Sequence, residues 1–61
     1  MSNVQAFLID GISAIAIHNG VVRVQFMRLG VDEKPLTEVE LHIPVESLKS
    51  VVEALNKVVP E

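Results

Sequence analysis

The chain changes hydrophobic rhythm along its length. Ile12 to His18 and Val21 to Leu29 carry branched aliphatic residues at near-alternate positions, the period of a strand with one covered face. Leu36 to Ile43 alternates more strictly: Val39, Leu41 and Ile43 fall on one side, Glu38, Glu40 and His42 on the other. From Val45 to Val59 the period lengthens to that of a helix. Val45, Leu48, Val51, Val52, Ala54, Leu55, Val58 and Val59 cover about half its circumference, and polar residues fill the rest. Pro44 suits the first helical turn, where its missing N–H costs nothing, and Pro60 ends the pattern. Lys57 in the last turn suits the helix dipole and can pair with Glu53 four residues earlier.

Asn19-Gly20 predicts a type I′ turn, because both central residues of that turn need positive φ. A two-residue loop there pairs His18 with Val21, Ile17 with Val22, Ile15 with Val24 and Ser13 with Phe26. One face then holds Ile15, Ile17, Val22, Val24 and Phe26, and the other Ala14, Ala16, Arg23 and Gln25. Two strands that agree on the apolar face support the register. With Leu36 to Ile43 as the next neighbour, Glu40 falls near Arg23 or Gln25. The earlier segment, Val4 to Ile9, is expected to fold back on Ile12 to Ile17 through Asp10-Gly11. That hairpin would gather Phe7, Ile9, Ile12 and Met27 on the outer sheet face. The alternative is one longer strand with a bulge or kink at Gly11.

Size and composition change what this pattern means. Sixty-one residues allow one small domain, 1–61, whose core is marginal. Eleven valines, six leucines and five isoleucines supply more aliphatic surface than so short a chain can hide. Cysteine is absent, which excludes disulfide staples and the common thiolate zinc sites. Association is the remaining source of stability. The net charge is −3, and the five basic residues are scattered with no Trp or Tyr among them, so nucleic acid is not an expected partner. No uninterrupted apolar run exceeds four residues, against the roughly 20 that span a bilayer. No signal-peptide pattern opens the chain, so a cytoplasmic location is expected. A sequence starting at Met1 without a tag is expected to be a complete, very small bacterial or phage product.

Candidate chemistry is sparse. His18 and His42 are the two imidazoles, and the meander sets them about 9–10 Å apart, too far to share one metal. Ser2, Ser13, Ser47 and Ser50 have no His–acid constellation within reach. Asp10 and Asp32 adjoin turns, where such carboxylates bond local backbone. Gly11, Gly20 and Gly30 are too dispersed for a phosphate loop. No catalytic, cofactor or metal site is expected.

Ala16-Ile17-His18, Val22 to Phe26, Val39 to Pro44 and Ala54-Leu55 together resemble a family of very short bacterial strand-strand-strand-helix domains of unknown function. The resemblance implies a fold and no chemistry.

The expected fold is α+β: a three- or four-stranded antiparallel meander with one C-terminal helix on one face. The expected function is a self-associating structural or interaction module. The alternative is a small-ligand binder or minor enzyme whose site forms between subunits. Placing Leu48, Val52, Leu55 and Val59 over the sheet leaves Val51, Ala54 and Val58 along the helix edge as the expected oligomer interface. A homodimer is favoured, a tetramer if the outer sheet face is used as well, and an unknown protein partner is a further option.

Overall fold

The structure, a computed structural model, describes residues 3–60. Strands β1 (Gly11–His18), β2 (Val21–Leu29) and β3 (Pro35–Pro44) lead into helix α1 (Val45–Asn56). The sheet order is β1-β2-β3, with both pairs antiparallel. This is the α+β meander the periodicity predicts, with three strands.

The β1–β2 turn forms at Asn19 and Gly20, with φ of 51° and 74°. His18 faces Val21, Ile17 faces Val22 and Ile15 faces Val24, as the two-residue loop requires. Nothing lies within 4 Å of where a Gly20 Cβ would stand, so a substitution there meets backbone strain and no clash. Gly20→Val is expected to cost more than about 1 kcal/mol, since a β-branched residue resists positive φ. Thermal melting reads this, and an unchanged midpoint would count against the turn.

Register departs from strict alternation at two places. Ile12, not Ser13, faces Phe26, and Ser13 is the extra residue of a bulge between Ile12 and Ala14. The bulge carries Ile12 to the face of Ile15 and Ile17, where the outer face was expected. On β3 a shift opposite Phe26 and Met27 leaves Glu38 unpaired between Thr37 and Val39. Both bulges coincide with a three-residue step between aliphatic positions, Ile12 to Ile15 and Leu36 to Val39.

The expected N-terminal hairpin does not form: residues 3–10 contain no strand. Asp10 N–H donates to the Met27 carbonyl at 2.8 Å, and its Oδ2 accepts from Leu29 N–H at 2.8 Å. The carboxylate expected to serve a local turn is thus held by the end of β2, and the chain runs on into β1. Gly11 sits opposite Met27, where an added Cβ would come within 2.8 Å of the Met27 Cε. With Ile12 on the other face, the expected outer group of Phe7, Ile9, Ile12 and Met27 is not assembled.

Helix α1 starts as soon as β3 ends. Pro44 is its N-cap and offers no side-chain cap, but Val45 N–H donates to the Gly20 carbonyl at 2.9 Å. The hairpin turn thereby satisfies one of the helix's orphan donors. The helix stops at Asn56, short of the expected Val59. Lys57 is the C-cap, and Val58 N–H reaches back only to Leu55, at 3.2 Å. Pro60 disfavours helical backbone at the residue before it, which accounts for part of the shortening. The ion pair on the helix is Lys49–Glu53 at 4.0 Å, in place of the expected Glu53–Lys57.

Among the described residues the buried hydrophobics are Val22 and Val24, at 3% and 6% exposure. The chain exposes 5404 Å². A folded monomer of its mass exposes about 3,900 Å². Its radius of gyration is 13.4 Å, against about 10.5 Å for a compact domain of this length.

Candidate interaction surface

Part of the missing burial lies between helix and sheet. Helix α1 packs mainly on β2 and β3 and stands off the sheet, leaving an open cleft of about 680 Å³. Its floor is the apolar sheet face: Ile12, Ile15 and Ile17 of β1, Val22, Val24 and Phe26 of β2, Leu41 and Ile43 of β3. Its wall is Leu48, Val51, Val52 and Leu55 of α1. All twelve lining side chains are apolar. Ile15, Ile17 and Leu55 remain 60–69% exposed, so large aliphatic groups stand in water on both sides of the gap. A monomer seldom leaves so much contiguous apolar surface without an occupant.

The residues expected at the oligomer interface separate here. Val51 turns into the cleft and lines it together with Leu48, Val52 and Leu55. Ala54 lies outside the lining, and Val58 lies past the helix end, 78% exposed. Ile12 is the cleft residue that strict alternation misplaces, and the Ile12-to-Ile15 step is the signal that finds it.

The opposite sheet face carries a polar network centred on Glu40. Gln25 faces Glu40, and its Nε2 donates to Glu40 Oε1 at 2.9 Å. His42 Nε2 lies 2.6 Å from Glu40 Oε2, so both carboxylate oxygens have partners. Ser13 Oγ donates to the Gln25 carbonyl at 3.2 Å. At the far end of β2, on the side of Val24 and Phe26, Arg28 Nε reaches Glu38 Oε2 at 3.2 Å, a partly exposed pair worth less than about 1 kcal/mol. A shallow depression of about 230 Å³ lies between Ala14, Ala16, Arg23, Gln25 and Glu40.

The hydrogen bond to His42, then that to Gln25, with the nearby Arg23 charge adding a smaller share, holds the Glu40 carboxyl below its ordinary value. A lowered folded pKa gives stability that is present above the unfolded value and lost as pH falls through the folded one. Wild-type melting temperature should therefore drop between about pH 5 and pH 3, and Glu40→Gln should flatten that slope. Equal slopes in the two proteins would show that Glu40 contributes nothing to acid sensitivity.

The remaining candidates stay apart. His18 closes β1 at the turn, whereas His42 lies on β3 opposite Arg23. Asp32 accepts from Lys34 N–H at 3.1 Å, the local role expected of it. Ser50 Oγ donates to the Ser47 carbonyl at 3.0 Å, and Ser2 lies outside the described residues. Among the described residues no three His, Asp or Glu side chains gather as a metal site, and no helix is long and apolar enough to cross a membrane. No family model matches the chain, and comparison with curated proteins and with solved structures gives no significant match.

Proposed function

We propose that this protein is a self-associating structural or interaction module, with no catalytic role of its own, working in the cytoplasm as a homodimer. The apolar cleft between sheet and helix carries the reading. Exposing roughly 1,500 Å² more than a monomer of this mass is a large excess beside the roughly 800 Å² each partner contributes to a standard interface. A ligand site between subunits would be marked by convergent polar groups, and the cleft lining has none. Val51 contributes directly to the association surface, with Ala54 further along the helix and Val58 just past its end as the flanking residues. Size exclusion with light scattering at micromolar concentration tests this. At least twice 6.7 kDa is expected, and a mass of 6.7 kDa overturns the reading.

A further inference from the structure

We infer that two copies join through their β1 edges, antiparallel about a two-fold axis at Ala16, making one continuous six-stranded sheet. The inference rests on the self-association proposed above and specifies its geometry.

The two edges of the sheet differ in kind. β3 is framed by Pro35 and Pro44, carries Glu38 and Glu40, and is bulged at Glu38. Such features discourage a further strand. β1 has none of them on its regular stretch: from Ala14 to His18 it holds no proline and no acidic, lysine or arginine residue. A flat, uncharged edge is a template for another strand.

The backbone parity shows which groups wait there. Val45 N–H bonds to Gly20 O, which points the even-numbered residues of β2 towards β3. The odd-numbered ones, Val21, Arg23 and Gln25, therefore bond β1 through His18, Ala16 and Ala14. That leaves the N–H and C=O of Ile15 and Ile17 directed outward from the sheet.

Register follows from the bulge. Regular geometry on β1 runs from Ala14 to His18 and is centred on Ala16. Self-pairing about that centre lets Ile15 exchange both hydrogen bonds with the partner's Ile17, and Ile17 with the partner's Ile15. Ala16 then meets the partner's Ala16 as a non-hydrogen-bonded pair, with Cα atoms about 4.5 Å apart. Alanine is small enough for that position. A two-fold axis of this kind is perpendicular to the sheet, so both helices lie on one face. The Ile15 and Ile17 side chains of the two chains then adjoin between them, and each partly covers side chains that are 60–69% exposed in a single chain. A second copy is the occupant the area favours, since each chain carries the same excess and the same self-complementary edge.

The chain has no cysteine, so a single introduced thiol reports cleanly. Ala16→Cys is expected to form a disulfide-linked dimer on mild oxidation, because the pair's Cα separation suits a disulfide. Ala14→Cys, which would face the partner's His18, is expected to link at least tenfold more slowly. Amide exchange on the unaltered protein gives a second readout. Ile15 and Ile17 N–H should exchange at least about tenfold more slowly than the outward-directed Glu40 and His42 N–H of β3. A dimeric mass with neither selective linkage nor that protection overturns edge pairing and leaves self-association standing. A monomeric mass overturns both.

Discussion

Val24→Asp is expected to leave the chain unfolded at neutral pH. Val24 is 6% exposed on the central strand, its side chain lies on the cleft floor, and every other lining side chain is apolar. A carboxylate there would lose its hydration and find no donor, a penalty of several kcal/mol. A domain of this length has a total stability of roughly 3–9 kcal/mol, and Val22 and Val24 are its buried hydrophobics among the described residues. Loss of the native circular dichroism spectrum and of a cooperative melt is the expected observation. Val24→Ala should remain folded with a lowered midpoint, because it removes methyl groups without burying charge. A cooperative melt for Val24→Asp near the wild-type temperature would mean that the cleft floor is not part of the core.

The second large effect is a melting temperature that rises with protein concentration. If the marginal chain gains its missing burial from a second copy, folding and association are one equilibrium. A tenfold rise in concentration then adds about 1.4 kcal/mol per dimer. Spread over the unfolding entropy of two 61-residue chains, that raises the midpoint by about 5 °C. Melts at about 10 and 100 µM suffice to see it. A midpoint independent of concentration, together with a monomeric mass, would show that the cleft is tolerated in water.

Three strands, the turn and the helix start were all legible in the sequence. The period-two patterns of β1, β2 and β3 are local signals, and Asn19-Gly20 sets the first register because few residue pairs tolerate positive φ twice in succession. Pro44 was legible as the point where the chain leaves the sheet. The alternation of β3 set Glu40 beside Arg23 or Gln25, and the structure pairs it with Gln25. The side on which Ile12 lies was less plain, because one extra residue at Ser13 reverses every face before it. The three-residue step to Ile15 recorded the bulge, but an average over the strand conceals it.

Other features were decided only in three dimensions. Asp10 beside Gly11 has the local chemistry of a turn, yet Leu29 N–H, nineteen residues away, claims its carboxylate and keeps the chain extended. The expected helix edge of Val51, Ala54 and Val58 presupposed a helix reaching Val59 and lying flat on the sheet. The helix instead ends at Asn56 and stands off, so Val51 faces the cleft with the stripe it was expected to flank. Periodicity determined which residues share a face, because side-chain direction follows from backbone geometry one residue at a time. Whether that face is covered is a matter of total area and of where the helix comes to rest. Those depend on contacts between residues far apart in the chain, and only the tertiary structure fixes them.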